Sequence, residues 1–528
     1  MAFLERNANR GSISTGFNID HSLKVENDNR EYIRWTDFST QGSEARKKKF
    51  SMSCWLKRTE LGRQMIFWST SQNGYFAFDA ADTVVWYQQY VGSGTQIGLR
   101  TTRKFRDIGA WYHFMIVVDT AQSTEANRVK MYVNGVQETS FGTPNTYPSQ
   151  NAQASNLYEQ HLVLGEWGGG STGFSGYIAE YYFLSEIAAS PTDLGEYDED
   201  TGIWKPKAYD GTISSPSHFL EFKDGSDLGT ATSGLDGDYL ENITAADQAT
   251  DTPTNNFCTL NPIAYNTTYT ATEGNTKWSK SDTTYGMASG THYVGAGKWY
   301  WEVKATDFNT YSSCQFGIVD ANKPNLGPSE NGYEDPSLSA DNPEILVMVG
   351  SPNGWYMNSN STISNNGSTN SVDYTFNEGD IIAIALDMDN GGYWMGNSRY
   401  SGVNNGSFWI APGGTTTSGS VATTDPSNGN YALVGDGGGT NSGTPNFNGG
   451  SINGGSLLTA GFTLVTPTIG AYHSNTTVTL EVNFGGFTSY AEDGGYADAN
   501  GYGNFAYAVP SGFYSLCSKN IAEFGGSG

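Results

Sequence analysis

The feature that most constrains this chain is a two-residue alternation of apolar side chains that recurs along most of its length. In FSMSCWLKR, Phe50, Met52, Cys54 and Leu56 share one face, and Ser51, Ser53, Trp55 and Lys57 share the other. That is the period of a pleated strand. QMIFWST, GYFAFDA and TVVWYQQY follow, each bounded by Gly, Asn, Asp or Ser, residues that turn a strand back on its neighbour. No window of helical length carries a 3.6-residue apolar stripe. The expectation is an all-β chain of antiparallel sandwiches.

The alternation comes in two blocks, and each contains the same hairpin. WYHFMIVVDTAQSTEANRVKMYVNG runs from Trp111 to Gly135, with an apolar run stopping at Asp119 and an aromatic strand ending at Asn134. DIIAIALDMDNGGYWMGNSRYS repeats the plan, with Asp387 and Asn397 in the same places. Carboxylate and amide side chains serve such turns by bonding to local backbone N–H groups and tolerating left-handed geometry. The pairs Asp119/Asn134 and Asp387/Asn397 are therefore read as structural. A chain of 528 residues is too long for one core, so the repeat marks two domains. Residues 1–20 read as a polar N-terminal arm and 21–188 as a first sandwich. Residues 189–262 form a connector partly packed on that sandwich, and 263–520 a second sandwich. Within the second, 411–461 is a Gly/Ser/Thr-rich insertion with almost no core formers, a surface excursion.

A net charge of −26 repels phosphates and argues against nucleic acid and anionic lipid as partners. The dense basic run Arg46-Lys47-Lys48-Lys49 is read as a solvated loop. No stretch offers ~18 uninterrupted apolar residues, so no membrane insertion is expected. Cys54, Cys258, Cys314 and Cys517 are far apart with no CxxC. They read as core residues of a protein made in a reducing cytosol, and the N-terminus lacks the apolar segment of a secretory signal.

GFNIDHSLKVEN, SMSCWLKR, WYHFMIVVDT, VKMYVNG and FSGYIAEYYFL together resemble a concanavalin A-like jelly roll of the laminin-G/pentraxin type. GKWYWEV, FGIVDA, GDIIAIALDMDNGGYWM, LEVNFG and PSGFYSLC resemble a SPRY domain. The joint, TGIWKPKAY then DTPTNNFCTLNP, is similar to the connector in virion proteins of marine tailed bacteriophages that carry this pair in tandem. The resemblance implies two antiparallel concanavalin A-like jelly-roll sandwiches in tandem, and a structural component of a phage virion made in the host cytoplasm. It implies virion proteins and further copies of this chain as partners. A tail fibre or adhesin presenting lectin-like domains to host glycans is the first expectation. A capsid decoration or head fibre of purely architectural role is the alternative, and a glycan-cleaving enzyme the remote one.

Candidate sites follow from chemistry. Glucanases of this fold pair carboxylates on a strand face, one to protonate the leaving oxygen and one to attack. The nearest match here, Glu196-Tyr197-Asp198-Glu199-Asp200, lies in an acidic connector and reads as a turn. His113 has no Ser or Cys elbow beside it, and no HExxH or phosphate loop occurs, so no catalytic residue is assigned. Asp224 with Asp227, and Asp236 with Asp238 and Glu241, could offer the oxygens that Ca²⁺ prefers. Asp-Gly is equally turn chemistry, so no cofactor is required and Ca²⁺ is the one candidate. Sugar recognition uses aromatic faces and short polar groups. Trp86-Tyr87, Trp167, Trp355-Tyr356 and Phe408-Trp409 are the aromatics expected in loops, with Trp167, Trp355, Tyr356 and Trp409 the chosen ligand-binding candidates.

Overall fold

A computed structural model describes residues 16–36, 43–69, 74–90, 96–154, 162–165, 172–199, 201–237, 239–262, 269–281, 285–307, 313–320, 354–358, 362–365, 368–371, 377–398, 408–409, 426–428, 446–447, 450–451, 463–472, 477–490 and 494–525. Most of the insertion 411–461, and residues 1–15 of the arm, lie outside this set. The protein is nearly all β, two concanavalin A-like jelly-roll sandwiches in tandem, with α-helices among the described residues only at Glu44–Lys48 and Ser518–Phe524. Two compact units divide at Asn256 and Phe257.

In the first unit the strand Lys49–Arg58 lies between Trp111–Asp119 and Gly176–Ser185 in a nine-stranded sheet. A second sheet of eight strands runs in the order Phe141–Asn145, Gln96–Lys104, Thr83–Gln89, Gly74–Phe78, Gln64–Ser69, Leu162–Leu164, Tyr32–Trp35 and Tyr239–Glu241. The alternation decides which faces meet. Phe50, Met52, Cys54 and Leu56 enter one core with Phe67, Phe76, Phe78 and Trp86 of the facing sheet. Full burial of each such side chain stabilises by ~1.5–3 kcal/mol. The opposite face is buried as well. Ser51, Ser53, Trp55 and Lys57 are at most 3 % exposed, because residues from Ile187 onward pack over them in a second cluster with Met115, Val117, Tyr182 and Phe219.

The segment 189–256 also supplies strands. His218–Leu220 pairs with Tyr181–Phe183, Tyr239–Glu241 with Tyr32–Arg34, and Gln248–Ala249 with Ser22–Leu23. At the far end of the arm, the Ile19 amide donates to Thr254 Oγ1 at 3.0 Å.

The second unit repeats the plan. Lys298–Asp307 is central, with Ile381–Asp387 and Gly392–Asn397 on one side and Val478–Asn483 and Lys277–Lys280 on the other. The facing sheet runs through Tyr285–Gly290, Val465–Tyr472, Ser313–Asp320 and Gly354–Asn358. Trp299, Trp301, Val303 and Ala305 fill the core with Ile382, Ile384, Leu386 and Cys314. The two hairpins share register: Lys49 stands opposite Asp119, and Lys298 opposite Asp387. All four cysteines are free and buried.

Candidate functional site

Both hairpin carboxylates serve turns. Asp119 accepts from the Ala121 amide and from Gln122 Nε2. Asp387 accepts from the Asp389 and Asn390 amides and from Lys298 at 2.9 Å. Asn134 adopts φ 49°, and its side-chain oxygen accepts from the His113 amide at 2.8 Å.

The sealed outer face of the first unit holds a Ser–His contact that its residues, 60 apart, did not disclose. Ser53 Oγ lies 2.7 Å from His113 Nε2, and Trp204 Nε1 lies 3.0 Å from His113 Nδ1. An indole N–H only donates, so Nδ1 must accept. The neutral ring then carries its proton on Nε2 and donates to Ser53. This tautomer cannot take the serine proton, the step a triad requires. Burial pushes the His113 pKa down to about 3, which keeps the ring neutral. Trp204 is clamped between backbones: a Cβ at Gly135 or Gly195 would come within 2.5 or 2.4 Å of its ring. Beside this relay, Lys57 Nζ meets Asp251 at 2.7 Å and Asn256 at 2.8 Å, and Trp111 Nε1 donates to the other Asp251 oxygen. These groups are structural clasps, each satisfied inside the protein.

The second unit has its own clasp. Glu302 accepts from Tyr300 and Tyr490 hydroxyls and from the amides of Ala506 and Tyr507. Burial raises its pKa despite these bonds. Every acceptor direction of the carboxylate is taken up within the fold.

The predicted site residues are dispersed. Asp224 accepts from the Ser226 amide and hydroxyl, Asp227 from the Gly229 amide, and Asp236 from the Ala231 amide. Glu241 is held by the Tyr239 hydroxyl, and Asp238 lies outside the described residues. Among the described residues, no three His, Cys, Asp or Glu side chains are gathered closely enough to hold a metal ion. In the acidic run, Glu196 and Tyr197 belong to a hairpin with Trp204–Pro206, and buried Asp198 accepts from Thr201 and pairs with Lys205. The aromatics expected in loops are mostly in strands. Trp86 is core, 1 % exposed. Trp355 and Tyr356 stand opposite Ile318 and Gly317 in the middle of a sheet, because Gly354 begins a strand there instead of ending a turn. Trp409 bridges to Gly396 and packs with Tyr300 and Phe408. Trp167 lies outside the described residues.

One depression was not foreseen. The chain between Asp119 and Val129 makes an excursion with a 3₁₀ turn at Glu125–Asn127. Between this excursion and residues 188–191 lies an open groove of about 290 Å³, lined by Asp119, Gln122, Asn127, Lys130 and Tyr132. Among the described residues the Lys130 ammonium makes no ion pair. The groove therefore combines a tyrosine ring with amide, carboxylate and ammonium groups facing solvent, the mixture that orients a polar ligand.

Residues 27–193 match the family model of the concanavalin A-like lectin/glucanases superfamily. A concanavalin A-like, laminin-G-type domain thus accounts for most of the first unit, and the fold suggests a binding role. A search of curated proteins found no match. Among solved structures, the chain is similar to the SPRY domain of human HERC1 (11% identity, TM-score 0.24), covering 41% of this chain and 92% of that one. It is also similar to a heptameric SAP-like pentraxin from Limulus polyphemus (14%, TM-score 0.23), covering 33% and 80%. A third is domain 4 of the arabinanase AbnA from Geobacillus stearothermophilus in complex with arabinotriose (24%, TM-score 0.20), covering 28% and 64%. TM-scores this low carry nothing about function.

Proposed function

We propose that this protein is a non-enzymatic recognition component of a tailed-phage virion, whose sandwiches attach to glycan on a host surface. The observation that carries the reading is the groove beside Asp119 and Tyr132. It is the place where the seal over the nine-stranded sheet stops at residues 188–191 and leaves hydroxyl-pairing side chains open beside an aromatic ring. The buried ionisable groups support the non-catalytic part, since Ser53–His113, Lys57–Asp251 and Glu302 are each occupied by partners inside the fold. The order of the two domains and their connector supports the virion. Many copies on one particle would turn weak single contacts into useful avidity.

Purified full-length protein on a panel of bacterial surface glycans tests the reading. Binding without release of reducing ends is expected, with Lys130→Ala weakening it by roughly 10-fold, the effect of losing one charge-assisted hydrogen bond. Glycan cleavage, or no binding to any glycan of the panel, contradicts it.

A further inference from the structure

The eight-stranded sheet of the first unit turns one face to the core, and the side chains on its other face form a line. Register places Tyr87 opposite Gly98, Tyr75 opposite Tyr87, and Trp68 opposite Tyr75. Past Val163, the same rung continues with Arg34 and ends at Tyr239. The line therefore crosses seven strands in six steps of ~4.8 Å, a span of roughly 29 Å. Tyr75 and Tyr87 stack with centroids 5.2 Å apart and planes 6° from parallel. At the far end Arg34 lies 4.2 Å over the Tyr239 ring, which is 38 % exposed.

An aromatic ladder alone would be explained by cross-strand packing, worth up to ~1 kcal/mol per pair. The arginines are not explained that way. Arg34 and the exposed Arg63, two residues ahead of Met65 on this face, make no ion pair among the described residues. Among the described residues, Arg34 Nε is buried without a hydrogen-bond partner. Among the described residues, Arg100, on the neighbouring rung opposite Val85, is paired only with Asp79 and is 42 % exposed. The charges of Arg63 and Arg100 both reach Tyr75. In a chain with 54 acidic and 28 basic residues, carboxylates to neutralise these guanidiniums were plentiful. Leaving a half-buried guanidinium without one carries a desolvation cost that an anion from outside would offset.

We propose that this face is a second ligand surface, distinct from the groove, which takes an anionic polysaccharide lying across the strands. Its rings stack on Tyr75, Tyr87 and Tyr239, and carboxylate or sulfate groups on the sugars pair with Arg34 and Arg63. Planar guanidinium forks suit both anions. The inference rests on the glycan-binding reading above and specifies the class of glycan.

Binding of the full-length chain to immobilised polygalacturonate (carboxylate), dextran sulfate (sulfate) and neutral dextran tests it. At low salt, binding to at least one polyanion is expected, weakening as salt screens the charges. In Arg34→Gln/Arg63→Gln it should fall at least tenfold at an unchanged melting temperature. Tyr75→Leu/Tyr87→Leu, which keeps apolar cover over Met65 and Val85, should also weaken it. Which polyanion responds identifies the anionic group. Equal polyanion binding by the arginine variant overturns the inference. So does binding of neutral glycan alone, through the groove, which leaves the glycan-binding reading intact. Failure to bind any glycan removes both.

Discussion

The two units build the same central three strands and seal them differently. In each, a strand beginning with Lys stands opposite an Asp that closes the next strand, Lys49 with Asp119 and Lys298 with Asp387. The second hairpin then turns tightly, with Asp387 opposite Gly392. The first runs from Asp119 to Val129 before it returns, and that excursion makes one wall of the groove. The outer faces differ as well. The first unit is clasped by a base-rich set, His113 and Lys57, and the second by carboxylates, Glu302 and Asp498. The scaffold is set by which side chains alternate. The groove is set by where the covering segments stop.

The sharpest way to break the comparison is at the clasps. Glu302→Ala strands two backbone amides and two hydroxyls in a dry interior. It should destabilise the second unit by ~3 kcal/mol or more, read as loss of hydrogen-exchange protection at 484–517 while the first unit is unchanged. Lys57→Met leaves Asp251 buried beside Trp111 without its cation and should cost the first unit a similar ~3 kcal/mol.

Acid separates the clasps by sign. Burial lowers His113 and His218 from 6.5 to about 3. The unfolded chain therefore binds their protons first, and their contribution, present above pH 6.5, is lost as pH falls towards 3. Glu31 and Glu180 of the same unit, raised by burial to about 7 and about 8, act oppositely. Their contribution is present below 4.5 and lost as pH rises through those values. Below pH 4.5 the histidine loss is joined by that of Asp82, whose carboxyl is held low, against burial, by the Gly62 amide and by Arg106 and Arg58. Replacing His113 with Phe should reduce the acid slope of first-unit stability by ~1.4 kcal/mol per pH unit between 4.5 and 3. For Glu302, raised by burial, the contribution is retained in acid and lost as pH rises. Melting curves at stepped pH check both.

Two smaller effects sharpen the picture. Trp204→Phe deprives His113 Nδ1 of its donor and should cost ~1–2 kcal/mol. Lys298→Met removes a partner that is 30 % exposed and should cost ~1 kcal/mol or less, because the Asp389 and Asn390 amides still hold Asp387.

Strand identity was legible in sequence because burial of one face writes itself every second residue, as in Phe50, Met52, Cys54 and Leu56. Asp119 and Asn134 were legible as turn residues because their bonds are local. Sealing of the reverse face was not, since Trp204 and Asp251 lie 91 and 194 residues beyond the His113 and Lys57 they hold. The proposed ligand faces were half-written. In GYFAF and TVVWYQQ, Tyr75 and Tyr87 alternate against the core residues Phe76 and Trp86, so an aromatic on both faces was the available signal. It takes the register of five strand pairs to bring Tyr87 and Tyr239 into one row. Trp355 and Tyr356 read as loop residues because glycine beside tryptophan marks a strand's start as readily as a turn.

Hydrogen exchange of the full-length chain with and without polygalacturonate oligomers tests the central claim most directly. Added protection is expected in Gly74–Phe78, Thr83–Gln89 and Tyr32–Trp35, with the clasps at Lys57–Asp251 and Glu302 unchanged. Protection confined to the clasps, or to neither sheet of the first unit, would contradict it.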